Sequence, residues 1–255
     1  MSAEQTSETN RGRVMRWTGQ LAVIALTTLL IKTVAAEAYY VPSGSMQPSL
    51  LIGDQLLVSK FAYGYSRYSL PLPLAPAMPE RLLGKLPAVG DVVVFRLPRD
   101  PSQTYVKRVV GLPGDRLQMR QGRLWINGAA LPLRRDGSGA SQDEGLRPVS
   151  APRFVETLPN GREHPIFKFG WNGELDNTPV FAVGPGQIFV MGDNRDGSAD
   201  SRLSPSAGGV GLVPVENLVG RVDALIGSWD PAVRRNPVWT WPSGLRLSRF
   251  FSRVK

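Results

Sequence analysis

The sequence predicts a mainly β fold: a coiled antiparallel β-sheet domain with an extra small β region, preceded by one transmembrane helix. The first sign is a turn signal that recurs directly before a β-rich run. Gly53-Asp54 precedes Gln-Leu-Leu-Val, Gly90-Asp91 precedes Val-Val-Val-Phe, and Gly114-Asp115 precedes Arg-Leu-Gln-Met. Gly184-Pro-Gly-Gln before Ile-Phe-Val-Met is a fourth variant. A chain that turns at glycine and restarts at once as a strand builds antiparallel sheets from short pieces. The unequal spacing of these turns excludes a solenoid. The second sign is that no apolar stripe of helical period and useful length follows the N-terminal segment. The third is composition: 27 glycines and 22 prolines in 255 residues favour turns over long helices.

In chain order, residues 1–16 read as a polar tail and 17–36 as a membrane anchor. Residues 37–230 read as the β-rich domain, in which about 124–180 form an inserted, less regular β region. Residues 231–255 read as a basic, aromatic tail. Trp17 to Ala36 is the one stretch of membrane length, and Lys32 within it must snorkel to an interface. Arg11, Arg13 and Arg16 precede it, which places the N-terminus in the cytoplasm and everything after Ala38 outside. Ala36-Glu-Ala38 also has the small-x-small form of a signal-peptide cleavage site. The long polar lead-in favours the retained anchor. The net charge of +9 is concentrated in the tail, where Arg234, Arg235, Arg246, Arg249, Arg253 and Lys255 alternate with Trp239, Trp241, Phe250 and Phe251. Such a mixture suits an anionic lipid surface better than a nucleic-acid groove, and it equally fits a disordered, solubilising tail. No nucleic-acid partner is expected.

Three segments depart from the strand pattern. Tyr65 to Pro87 reads as a proline- and leucine-rich loop near the membrane surface. Leu124-Trp-Ile-Asn-Gly128 reads as a hairpin strand closed by an Asn-Gly turn. Asp136 to Pro152 and Asn160 to Asn177 read as an elaborated β region with mobile loops. Function is not expected in the glycine- and serine-rich part near Ser138.

Composition narrows the chemistry. There is no cysteine, so disulfides, thiolate metal sites and cysteine nucleophiles are excluded. The single histidine, His164, lies in Asn160-Gly-Arg-Glu-His-Pro165 and reads as a solvated turn residue. A zinc site built on several histidines is therefore impossible, and an activated serine would take its base from elsewhere. Ser43 and Ser45 lie in Val41-Pro-Ser-Gly-Ser-Met-Gln-Pro-Ser-Leu50. Pro42, Gly44 and Pro48 force a sharp, irregular path there, which suits a presented nucleophile as well as a plain linker. In Tyr105-Val-Lys-Arg-Val-Val-Gly-Leu-Pro-Gly-Asp115, strand alternation sets Lys107 between Tyr105 and Val109, with Arg108 on the opposite face. An amine among apolar neighbours loses its proton more readily and can act as a base, whereas a lysine that snorkels out does not. Met191-Gly-Asp-Asn-Arg-Asp-Gly-Ser-Ala-Asp-Ser-Arg202 lacks the spacing of a calcium loop, and its arginines point to an internal Asp–Arg network.

Together, Pro42-Ser-Gly-Ser-Met-Gln-Pro48, Tyr105-Val-Lys-Arg108 with Gly111-Leu-Pro-Gly-Asp115, and Gly192-Asp-Asn-Arg-Asp-Gly-Ser-Ala-Asp-Ser-Arg202 resemble the motifs of bacterial type I signal peptidases, in that family's order and behind an N-terminal membrane segment. Gly90-Asp-Val-Val-Val-Phe95 and Val213-Pro-Val-Glu-Asn-Leu-Val-Gly220 match as well, and the resemblance runs from the anchor to about Trp229. It implies a membrane-bound serine endopeptidase that removes signal peptides from exported preproteins after small-x-small sites. The implied location is the bacterial cytoplasmic membrane, with the catalytic domain on the periplasmic side and the export translocon as a possible partner. By this resemblance Ser45 is the nucleophile, Lys107 the general base and Ser43 the side-chain oxyanion donor. Ser198 orients the lysine, and Arg108, Asp193, Asp200 and Arg202 form a supporting network. The substrate lies along Tyr40, Val41, Pro42, Tyr105 and Val106. No metal or cofactor is implied. Gly197 and Ser49 depart from the asparagine and threonine common at their positions. The alternatives are a specialised Ser/Lys processing peptidase of the conjugation-pilin type, or a non-catalytic single-pass protein with a lipid-binding tail.

Overall fold

A computed structural model describes residues 15–24, 26–28, 35–69, 81–142 and 145–254. Among them the strands are β1 (Ala36–Tyr40), β2 (Asp54–Ser59), β3 (Val92–Leu97), β4 (Asp100–Gly111), β5 (Arg116–Arg120), β6 (Arg123–Ile126) and β7 (Ala129–Ala130). They continue as β8 (Leu133–Gln142), β9 (Pro148–Thr157), β10 (Glu163–Phe167), β11 (Phe181–Ala182), β12 (Gln187–Met191), β13 (Val213–Pro214) and β14 (Leu218–Ser228). The predicted mainly β, antiparallel architecture is what these strands form.

The three Gly-Asp signals make one and the same turn. Gly53, Gly90 and Gly114 adopt φ of +95°, +94° and +95°, a region that favours glycine. Each aspartate closes its turn twice. Its N–H donates to the carbonyl three residues back, and its carboxylate accepts the N–H of that same residue, Leu51, Ala88 or Leu112, at 2.8, 3.0 and 2.8 Å. Strands β2, β3 and β5 start at or just after these aspartates. The Asn127-Gly128 turn has positive φ at both positions and joins β6 to β7, as expected of its sequence.

The main sheet has the order β1-β2-β14-β3-β4-β12-β13. The Val-Val-Val-Phe run of β3 is buried on both faces: Val92 and Val94 join one apolar cluster with Met46, Leu56 and Val222, while Val93 and Phe95 join a second with Val109 and Ile188. Strand β14 shifts register twice against β2, and such bulges bend a strand and tighten its twist. The resulting coil carries the loop that follows β1 across to β4, although three strands separate β1 from β4 in the sheet. A four-stranded sheet, β11-β5-β6-β7, packs Leu117, Met119 and Ile126 against Val110 and Phe189 of the main sheet. Within the expected insert of about 124–180, β8, β9 and β10 form a three-stranded sheet of order β10-β9-β8, whereas 124–130 belong to the four-stranded sheet.

At the N-terminal end, residues 15–24 and 26–28 are helical, and no helix of the described residues is long and apolar enough to cross a membrane. Residues 25 and 29–34 of the expected anchor, and 70–80 of the Tyr65–Pro87 loop, lie outside the described residues. The basic tail departs from the picture of a disordered appendage. It folds back in short 3₁₀ turns, with Arg249 on the Asp54 carboxylate (2.6 Å) and the Ser49 carbonyl (3.0 Å), and Arg246 on the Ile52 carbonyl (2.8 Å). Composition shows the charges of such a tail but not the buried aspartate that receives one of them.

The shared turn yields a paired test. A Cβ at position 114 would meet open space, whereas one at 53 would run into the Trp229 carbonyl oxygen. Gly114→Ala is therefore expected to cost ~1 kcal/mol of strain, and Gly53→Ala roughly twice that or more. Urea unfolding midpoints compare the two, and equal costs would contradict this reading of the turn.

Candidate active site

The chain leaves β1 at Tyr40, is fixed by Val41, and turns through a short 3₁₀ segment at Gly44–Met46. Met46 is fully buried in the core and anchors this loop from below. Val41 is buried as well, and its N–H and C=O are taken by the Asp54 carbonyl and the Gly53 N–H. Its side chain therefore packs in the core, whereas Tyr40 and Pro42 are exposed. Ser45 Oγ lies 2.6 Å from Lys107 Nζ, across 62 residues of sequence. Ser43 Oγ lies 3.4 Å from Ser45 Oγ. Asn194, which carried no assigned role in the sequence, holds the loop: its N–H donates to the Ser45 carbonyl (3.1 Å) and its side chain to the Gly44 carbonyl (3.2 Å). Gly192 permits the approach, since a Cβ there would run into the Ser45 carbonyl and Ser198 Oγ. Ser198 Oγ is buried at this junction and makes no hydrogen bond.

Lys107 comes from β4, where alternation sets it beside Tyr105, whose ring centre is 5.6 Å from the amine. Lys107 is only 3% exposed. Burial pushes its amine down to about 8, against the pull of the Asp200 and Asp193 carboxylates, and Arg202 adds to the depression. Those carboxylates are already committed. Asp193 receives Arg108 through two hydrogen bonds of 2.8 and 2.7 Å, and Asp200 receives Arg202 at 2.8 and 2.9 Å together with the Gly192 N–H. Burial alone would raise both carboxyl groups, yet Arg108 and Arg202 hold them well below the usual range. The predicted network is thus two buried pairs, joined to the serine loop by a 3.3 Å contact from Arg108 to Ser49 Oγ.

His164 departs from its reading as a solvated turn residue. It is 2% exposed and lies on β10 with its two ring nitrogens 3.3 Å from Glu156 and from Asp193. Glu156 also takes Arg195 in a bidentate pair, which overcomes the opposing effect of burial and holds its carboxyl at about 2. The Asn-Gly-Arg turn signal marks the chain just before β10, and the ladder with β9 then carries the histidine inward. On β8, Ser141 Oγ and the Gln142 N–H both donate to Gln47 Oε1 in the serine loop, and both residues line a cleft shared with Ser43 and Ser45.

The depressed amine has a consequence for stability. Below pH about 8 the lysine is protonated in both states, and the folded chain carries a buried charge. Between about 8 and 10.5 the folded state loses its proton first, so stability rises with pH across that window. Lys107→Met, which keeps length without charge, is expected to be more stable than the parent at pH 7, with the advantage shrinking toward pH 10. Chemical denaturation at the two pH values checks this, and a variant that is destabilised at pH 7 would contradict it.

Comparison with known proteins places this geometry in context. The family model described as signal peptidase, peptidase S26, matches residues 14–228. The chain is 36% identical over 267 residues to signal peptidase I of Rickettsia conorii, covering 97% of this chain and 96% of the relative. It is 34% identical to signal peptidase I of Rickettsia prowazekii, covering 92% of each. A match over 97% of the chain takes in most of the tail beyond Trp229. A crystallised signal peptidase I from Enterococcus faecalis is 26% identical with a TM-score of 0.31, over 54% of this chain and 97% of that one. The chain belongs to the signal peptidase, peptidase S26 family, and is a serine protease that acts on signal peptides.

Proposed function

We propose that Ser45 is the nucleophile and Lys107 the general base of a Ser/Lys dyad that cleaves preproteins after small-x-small sites. The observation that carries this reading is the 2.6 Å approach of Ser45 Oγ to a buried amine whose proton affinity burial has lowered. A neutral Lys107 presents a lone pair to the Ser45 hydroxyl. Oγ attacks the scissile carbonyl as its proton passes to Nζ, and the resulting ammonium then protonates the leaving amine. A water attacks the acyl-enzyme with Lys107 again taking the proton. Ser43 Oγ and the Ser45 N–H stabilise the oxyanion. Ser198, whose buried Oγ has no hydrogen-bond partner of its own, is the hydroxyl that would turn to orient Nζ, and the Arg108–Asp193 and Asp200–Arg202 pairs are the frame that holds β4 and the third motif in register.

The part of the substrate before the cleaved bond lies extended between Tyr40–Pro42 and Tyr105–Val106. Strand β12 pairs with β4 only from Arg108 onward, so the stretch of β4 that holds Tyr105 and Val106 has β3 as its single ladder partner among the described residues. An open strand edge of this kind receives a peptide by β-addition. In this reading residues 17–36 anchor the chain in the cytoplasmic membrane, residues 1–16 are cytoplasmic, and 37–230 with the inserted 124–180 region work on the outer side beside the translocon. The exposed aromatics of the tail, Trp239 and Phe251, face the bilayer.

Ser45→Ala and Lys107→Ala are each expected to abolish cleavage of an Ala-x-Ala preprotein, and Ser43→Ala to lower the rate by about a hundred- to thousandfold. The parent's kcat/KM is expected to rise with unit slope through a midpoint of about 8 and level off above it, because only the neutral amine accepts the proton. Full activity in either dyad variant would refute the assignment.

A further inference from the structure

The sequence and family resemblance place substrate only on the Lys107 side of the nucleophile. A cleft of about 670 Å³ also opens at the serine loop: it runs from Pro42, Ser43, Gly44 and Ser45 toward the extra sheet and does not include Tyr105, Val106 or Lys107 among its walls. Its outer wall comes from the tip of the extra sheet, with Gln142 of β8 and Val149 of β9, and from Phe169 just past β10. We propose that this cleft holds the first few residues that follow the cleaved bond, and that Val149 and Phe169 form an apolar subsite that selects their side chains. The assignment of direction rests on the dyad reading above. If the residues before the bond occupy the edges of β1 and β4, an extended chain that crosses Ser45 must leave along the opposite wall, and the cleft is continuous with Ser45 there.

The chemistry of the walls sets the preference. The charged lining residue is Asp196, and its carboxylate is consumed by the Lys168 amine and by the N–H groups of Phe169 (2.6 Å) and Gly170 (3.1 Å). Asn194 spends its side chain on the Gly44 carbonyl and the Gly197 N–H, and the Gln142 amide nitrogen donates to Asp230. Gln142 Oε1 is left without a partner, and the exposed lining beside it is apolar: Val149 is 38% and Phe169 46% exposed. An acidic side chain entering here loses water and meets the Gln142 amide oxygen and no cation, whereas an apolar one covers exposed hydrocarbon. Gly197 lines this cleft with no side chain of its own. A Cβ there would collide with the Asn194 amide.

The test uses preprotein substrates identical up to the cleaved bond and differing in the three residues after it, either apolar or acidic, with the full-length chain. For the parent, kcat/KM is expected to favour the apolar series by about tenfold, the discrimination that partial burial of an apolar side chain supports. Phe169→Ala is expected to bring that ratio toward one, and Val149→Lys, at an exposed position, to turn it in favour of the acidic series. A parent ratio near one, or a ratio unmoved in both variants, overturns the subsite. Cleavage that survives Ser45→Ala would instead overturn the dyad reading, so the two failures are distinguishable.

Discussion

The structure depends on keeping one amine buried without giving it a carboxylate of its own. A lysine beside an uncommitted aspartate would stay charged, and a charged Lys107 could not take a proton from Ser45. Asp193 and Asp200 lie close enough to pull its proton affinity up, yet each is saturated by a buried arginine. Arg108 and Arg202 therefore do more than pair with acids. They withdraw those acids from the lysine and leave burial as the dominant influence on it. Buried pairs of this kind contribute little net stability, and removing one partner strands the other charge in the interior at a cost of about 3–5 kcal/mol. The frame of the site is accordingly bound to the integrity of the fold.

The second requirement is that distant parts of the chain converge. Ser45 follows an edge strand, Lys107 sits on the fifth strand of the same sheet, and Asn194 follows the sixth. Flat sheet geometry would hold them far apart, since neighbouring strands are spaced by about 4.8 Å. The bulges of β14 supply the curvature, and the loop after β1 closes the gap through its contacts to Lys107 and Asn194. The extra sheet and the tail then brace that loop from outside. Ser141 and Gln142 hold Gln47, while Arg246 and Arg249 hold the carbonyls and the carboxylate at its far end.

What the sequence made legible was local. The Gly-Asp turns, the Asn-Gly hairpin and the double-faced burial of Val92–Phe95 all follow from rules that span a few residues. The alternation that puts Lys107 and Arg108 on opposite faces is of the same kind. His164 was misread because its neighbours are turn residues, while its burial is decided by a ladder with β9 and by carboxylates at positions 156 and 193. The hold of Ser141 on Gln47 joins side chains 94 residues apart and leaves no mark in either local sequence. The docking of the tail was missed for a related reason: a run of arginines and aromatics gives charge and bulk, whereas its docking is set by Asp54, which the turn motif alone explains equally well as a strand starter.

The central claim is that burial lowers the proton affinity of the Lys107 amine far enough for its neutral form to be populated near physiological pH. Its most direct measurement is an NMR titration of the full-length protein with isotope-labelled lysine, reading the ε-carbon and amine nitrogen shifts of Lys107 with Lys107→Met for assignment. The account predicts a single transition with a midpoint of about 8. A midpoint at the ordinary lysine value near 10.5 would contradict it.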